Sequence, residues 1–161
     1  MSATTMLPSA SEQRLPLSGH HRLNPDRCVV ELSRRVLGVP VARARVTATG
    51  GELVVTDAGS RCDLDLRAAS LRTGVPLLGR VLIGERGLDA DNHPTLRFAS
   101  EHVALGPERR LRAPGSVTVR GEPKTLTLRG LVAYYDAERL VVWARGRAGR
   151  VHVEVAAEFV R

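Results

Sequence analysis

Asp89-Ala90-Asp91-Asn92-His93 places carboxylates at alternating positions, the spacing that opens a calcium-binding loop. Such a loop bends on a glycine at its sixth position and closes on a bidentate glutamate at its twelfth. Here those positions hold Pro94 and Ser100, so the segment reads as an acidic turn ahead of a proline. His20-His21 could bind a metal weakly, but adjacent histidines on a flexible arm read as inert. His93, His102 and His152 have no zinc-site spacing. Nucleophilic catalysis would need a serine or cysteine in a strained Gly-x-Ser-x-Gly turn, and the sequence has none. Cys28 and Cys62 each fall at an alternating strand position, where a thiol packs as a small apolar group. Gly146-Arg147-Ala148-Gly149 precedes no helix and reads as a turn between strands rather than a phosphate loop. Nowhere do a base, a nucleophile and an oxyanion donor gather. The residues assign no catalytic group, metal site or cofactor, and point to a protein that binds rather than catalyses.

The chain that must carry such a binding site is 161 residues long, one domain by length. Hydrophobic residues make up 43% and charged residues 25%, the balance of a globular protein that folds without disulfides or metal. No apolar run approaches the ~18 residues of a membrane-spanning helix. Residues 1–8 have neither a basic region nor a continuous apolar stretch. That predicts a cytoplasmic protein, with no standard secretion signal and with Cys28 and Cys62 as reduced, unpaired thiols. The net charge of +7 is of the kind that attracts nucleic acid or anionic lipid. Lys124, however, is the only lysine, an arginine bias that looks compositional. The densest basic groups, Arg34-Arg35, Arg43/Arg45, Arg109-Arg110-Arg112 and Arg145/Arg147/Arg150, are scattered. Aromatic residues at 3% are too few for a platform on which single-stranded bases stack, so no specific nucleic-acid binding is expected.

Residues 1–18, rich in Ser, Thr and Pro and without any period, read as a flexible N-terminal arm. From Gly19 to Arg161 the pattern is strand-like. Cys62, Leu64 and Leu66 alternate with Asp63, Asp65 and Arg67, and Val151, Val153, Val155, Ala157 and Phe159 oppose His152, Glu154 and Glu158. The same alternation marks Val30/Leu32, Leu96/Phe98, Val117/Val119, Leu126/Leu128 and Leu140/Val142/Ala144. Turn signals fall at Thr49-Gly50-Gly51, Asp57-Ala58-Gly59-Ser60, Ala113-Pro114-Gly115, Arg120-Gly121-Glu122-Pro123 and Tyr135-Asp136-Ala137-Glu138. Residues 71–88 break the alternation and predict a long loop carrying a short helix over 77–83. Strands at this spacing with one helical excursion indicate an all-β barrel or sandwich. A barrel of about eight strands has an interior just wide enough to be packed solid or to hold one ligand. Lined by Val, Leu and Ala, it would suit an acyl or isoprenoid chain, held by burial at roughly 25 cal/mol per Å².

The order of segments resembles the YceI-like family of lipocalin-like barrels described as polyisoprenoid-binding. The resemblance runs from about His21 to Leu128. Leu23-Asn24-Pro25 sits where that family has Ile-Asp-Pro, Arg35-Val36-Leu37-Gly38 where it has Arg-His-Leu-Gly, and Gly51-Glu52-Leu53 where it has Gly-x-Ile. Val41-Ala42-Arg43-Ala44-Arg45 stands at its Val-x-Gly-x-Phe stretch. Ala69-Ser70-Leu71-Arg72-Thr73-Gly74 matches Ala-x-Ser-Ile-x-Thr-Gly, and the segment from His93 to Ser100 matches Tyr-Pro-x-Ile-x-Phe-x-Ser. The segment from Gly115 to Lys124 follows Gly-x-Leu-Thr-Ile-x-Gly-Val-Thr-Lys with a slightly different hairpin. The chain departs from the family at Val36, which replaces a histidine, and at Gly79-Arg80-Val81-Leu82, which lacks the family's Asp and His. Gly87-Leu88-Asp89 stands where the family has Phe-Phe-Asp, and the late Arg-Ser-Asp-Phe-Gly element is absent.

The resemblance implies an antiparallel lipocalin-like barrel of about eight strands with one short helical excursion. It implies non-enzymatic binding, carriage or sequestration of an amphiphilic chain such as an isoprenoid quinone, polyprenol or fatty acyl compound. The other reading is a filled barrel whose basic outside face docks an anionic partner or membrane surface. Leu32, Leu64, Leu66, Phe98, Val117, Val119, Leu126, Leu128 and Val142 are expected to line the cavity by strand parity. Val36, Leu78, Val81 and Leu82 are expected at its mouth. The expected partners are the apolar-chain ligand and, from the family's habit, a second copy in a homodimer; neither specific nucleic acid nor integral membrane insertion is expected.

Overall fold

A computed structural model of the protein describes residues 18–161, so the arm expected over 1–18 lies outside the described residues except for Ser18. The elements in chain order are β1 (Gly19–Val36), β2 (Val39–Val46), β3 (Ala48–Thr56), β4 (Gly59–Arg67), β5 (Arg72–Thr73), α1 (Pro76–Ile83), β6 (Thr95–Ser100), β7 (Ala104–Leu105), β8 (Arg110–Val119), β9 (Glu122–Tyr135), β10 (Arg139–Ala148) and β11 (Val151–Val160). Single 3-10 turns at Ala68–Ser70 and Pro107–Arg109 complete the list.

Eight antiparallel strands pair in the order β1-β3-β4-β6-β8-β9-β10-β11, and β11 returns to β1 to close a barrel. The fold class expected from the alternating runs is the observed one. β2 pairs the second half of β1 and carries β5 on its other edge. Because strand parity is 2, one face of each strand supplies the core. Leu64 and Leu66, Leu126 and Leu128, Val142 and Ala144, and Val155 and Ala157 are all buried.

The antiparallel directions give the barrel two distinct ends. At one end stand the two-residue turns Leu37-Gly38, Arg120-Gly121 and Gly149-Arg150, together with the segment that carries α1. An Arg120 guanidinium N–H donating to the Gly87 carbonyl (3.3 Å) ties this segment to the β8–β9 turn. At the other end stand the Asp57-Ala58 turn, the stretch from Glu101 to Arg109, and the Asp136–Glu138 turn. Helix α1 begins on Pro76, at the first helical position, where the missing N–H costs nothing. An eight-residue helix is not stable alone; Leu82 and Ile83 anchor it by packing on the core.

Three turn signals in the sequence fall inside strands instead. Thr49-Gly50-Gly51 lies within β3, Ala113-Pro114-Gly115 within β8, and Gly146 to Ala148 within β10, so only Gly149-Arg150 turns there. The physical reason is close backbone approach, the other use of glycine in a strand. A Cβ on Gly115 would stand 2.1 Å from the Ala99 carbonyl oxygen, and one on Gly146 would stand 2.3 Å from that of Thr127. Pro114 gives up a ladder donor, but its carbonyl accepts the Ser100 hydroxyl at 2.7 Å.

The β1–β11 register jumps from Leu23↔Phe159 to Cys28↔Ala157, so 24–27 bulge out opposite Glu158. Glu158 is buried, and it is held by the Asn24 amide (3.3 Å) and the Arg139 guanidinium (3.6 Å). A buried carboxylate with both an ion-pair partner and a hydrogen-bond donor avoids the desolvation cost of an unpaired charge. The arrangement pins the bulge to the barrel wall.

Candidate functional site

Inside the barrel lies a small apolar cavity of about 40 Å³. Its walls come from every strand of the ring except β1: Leu53 on β3, Cys62 and Leu64 on β4, Phe98 on β6, Ala113 on β8 and Leu128 and Val132 on β9. Leu140, Val142 and Ala144 on β10 and Val155, Ala157 and Phe159 on β11 complete the circle. Val103, Leu105 and Leu111 close the floor at the end opposite α1. No lining residue is charged, and the only heteroatom among the lining side chains is the Cys62 sulfur. A void without polar partners stays dry, since water needs two or more hydrogen bonds to enter.

The nine residues expected to line one cavity distribute over three settings. Leu64, Phe98, Leu128 and Val142 border the void. Leu66 and Leu126 are buried, one inward step nearer the helix end, and do not border it. Leu32, Val117 and Val119 are half-buried and pack against the same core. Of the four residues expected at a mouth, Leu78, Val81 and Leu82 share α1, with Leu82 turned to the core and Val81 60% exposed. Val36 stands beside the Leu37-Gly38 turn, 52% exposed. The alternation of β10 and β11 carried the signal for Leu140, Ala144, Val155, Ala157 and Phe159, which complete the wall. Val103 and Leu105 follow no period, and only the folded stretch between β6 and β8 reveals them as the floor.

Both thiols are free. Burial pushes Cys62 up to about 12, with the Asp63 and Cys28 charges adding to the shift. Burial alone pushes Cys28 up to about 11. A raised folded pKa means stability that is intact below the thiol's ordinary value of 9.0 and is lost as pH climbs through the folded value. The urea midpoint should therefore hold steady to about pH 9 and fall between there and about pH 11–12. Disulfide reagents at pH 8 should react slowly with the native protein and count two thiols once it unfolds. A flat midpoint across that alkaline range, or fast native reaction, would contradict the buried placement.

A second, shallow groove of about 390 Å³ lies outside the barrel, between the β1 bulge and β3, and is bordered by Arg22, Pro25, Gly50, Glu52 and Asp63. It is open to solvent and mixed in chemistry. In the acidic turn, Asp89 takes both oxygens' contacts from the Asn92 amide (3.2 and 3.1 Å). Among the described residues, no three of His, Cys, Asp and Glu converge on a metal-sized site.

A closed antiparallel barrel with an apolar interior, a short helix at one end and no convergent polar groups defines the lipocalin-like class. Within it, this chain belongs to the YceI-like family: the family model for the YceI-like domain matches residues 21–158. The match runs past Leu128 through β10 and most of β11, beyond the segments whose motifs are legible by eye. No curated protein matches the sequence. Among solved structures, BcnA of Burkholderia cenocepacia superposes with a TM-score of 0.66 at 17% identity, covering 86% of this chain and 99% of that one. A polyisoprenoid binding domain from Saccharophagus degradans, implicated in plant cell wall breakdown, superposes at 0.59 and 10% identity over 89% of this chain and 98% of that one. A mutant CJ YceI protein carrying a monobromobimane guest superposes at 0.61 and 12% identity, over 79% and 89% of the two chains. At these identities the likeness establishes the shared fold.

Proposed function

We propose that this protein is a non-enzymatic carrier of an amphiphilic apolar chain, of isoprenoid or fatty-acyl type, held in the barrel interior. The observation that carries the reading is the apolar interior cavity with no charged or hydrogen-bonding side chain around it beyond one thiol. Such a lining stabilises hydrocarbon by area burial and offers nothing to orient a reacting group. The polyisoprenoid binding of the Saccharophagus degradans domain, which shares the fold, supports it. In this reading Leu64, Phe98, Leu128 and Val142 touch the chain's far end. Leu32, Leu66, Val117, Val119 and Leu126 line its path, and Val36, Leu78, Val81 and Leu82 form the mouth beneath and beside α1. The site of action is the cytoplasm, with both thiols reduced.

The resting cavity of about 40 Å³ is far below the roughly 300–1,000 Å³ of typical ligand pockets. Binding therefore requires the side chains of the upper interior to move apart. The same observation favours a second reading, a filled barrel whose basic outer face does the binding. Two measurements separate them. Mass spectrometry of organic extracts from the purified protein should show a stoichiometric lipid or isoprenoid. A fluorescent isoprenoid analogue should enter the wild type and be refused by Val119→Trp, whose indole would obstruct the path. Overpacking costs about 1–3 kcal/mol, so circular dichroism must show that the variant is folded. An empty extract together with no uptake by the wild type would sink carriage and leave the filled barrel.

A further inference from the structure

The helix end of the barrel breaks the rules that the rest of the surface keeps. Val36, Leu37 and Val39 at the β1–β2 tip, and Val75, Leu77 and Val81 at α1, are more than half exposed. Among the described residues, Val29, Leu131, Tyr134 and Val151 are the other large apolar groups exposed on the strands, each less than half exposed. Helix α1 has Arg80 as its one polar side chain. Leu77 and Val81, four apart, share its outward face at 72% and 60% exposure. A helix apolar all round is normally covered on every side. The tip is stranger still. Leu37 is 100% exposed and holds φ 51 ahead of Gly38 at φ 78, a two-residue turn that suits Asn-Gly and strains a leucine. A residue that costs the fold on two counts points to a use outside it.

The flanking charge identifies what covers this face. Arg34, Arg35, Arg80, Arg86, Arg120 and Arg150 surround it, all exposed and, among the described residues, none in an ion pair. The carboxylates at this end are Glu85, Asp89, Asp91 and Glu122, and Asp89 is engaged by Asn92. At the opposite end three arginines are occupied: Arg110 pairs with Glu108, Arg139 pairs with Asp136 and Glu158, and Arg109 lies over Tyr135. Arg61 and Arg112 there are exposed without an ion pair among the described residues. A second copy seated on this face would set arginine against arginine. We infer that the Leu37 tip and the outward face of α1 dock on an anionic phospholipid bilayer, the apolar groups entering the interface while the arginines meet lipid phosphates. Apolar insertion plus basic flanks is the combination that holds a protein at a membrane surface. The inference holds for either reading of the interior.

Delipidated protein and sucrose-loaded vesicles test it. Wild type should sediment with phosphatidylglycerol/phosphatidylcholine vesicles and stay behind with phosphatidylcholine alone. Leu37→Asn combined with Leu77→Asn should lower the partition at least tenfold. Leu37→Asn suits the turn, so an unchanged or higher melting temperature separates lost docking from lost folding. Arg34→Glu with Arg35→Glu should lower it similarly, and Arg109→Glu with Arg110→Glu at the opposite end should change it less than twofold. Equal losses from both ends would overturn the inference, as would absence of sedimentation with anionic vesicles. So would a wild-type dimer in sedimentation equilibrium that Leu37→Asn dissociates.

Discussion

Replacing Gly130 with alanine is expected to cost the barrel roughly 3–5 kcal/mol, at the extreme of what one added methyl does. The glycine lies in β9 opposite Ala144 of β10. A Cβ there would stand 1.8 Å from the Trp143 carbonyl oxygen and 2.6 Å from the Ala144 Cα. Both obstacles are backbone, so no side chain can swing away, and β9 and β10 must part. With a urea slope of about 2 kcal/mol/M for a domain this size, the midpoint should fall by roughly 1.5–2.5 M. Gly50→Ala is the matched control, since its Cβ would meet nothing within 4 Å. It should move the stability by less than about 0.5 kcal/mol. Equal midpoints for the two variants would show that the β9–β10 approach is not as close as described.

Leu140→Ala should be the most damaging truncation of a side chain, at about 4 kcal/mol. Leu140 is 1% exposed and already borders the 40 Å³ void, so the space it leaves merges with existing space rather than collapsing against packed neighbours. Residual cavity volume is what enlarges such losses, by about 24 cal/mol per Å³. The same variant reports on cargo. A short branched alkene at saturation should raise its urea midpoint more than that of the wild type, because a ligand that fits only the folded state stabilises it by mass action. A loss below about 1 kcal/mol would mean that the interior relaxes freely, contrary to the packing described.

The elements were legible wherever alternation was strict. β4, β10 and β11 follow from parity alone, and α1 follows from the break in it. Glycine misled for a reason internal to the residue: the lack of a Cβ serves a positive φ at Gly121 and a backbone approach at Gly115, and the sequence writes both the same way. The site was half legible. Parity picks out which side chains face inward, and so finds Leu64, Phe98, Leu128 and Val142. It does not say at what height along the barrel a void remains, because that depends on how the strands stagger and on what plugs each end. Leu66 and Leu126 point inward yet fill their own layer, while the aperiodic Val103 and Leu105 decide where the cavity stops.

The bulge in β1 has a kinetic consequence. On its β2–β3 side, pairing stops at Arg22↔Glu52 and resumes at Val30↔Val46, so over this stretch β1 is held to the barrel only through β11, at Leu23, Cys28 and Val29. Local opening needs few bonds broken there. In deuterated water, the amides of Asn24, Asp26, Arg27 and 47–51 should exchange through such small openings, while those of β9, β10 and β11 wait for the whole barrel to come apart. The seam between β1 and β3, and neither rim, is where solvent isotope first reaches the wall.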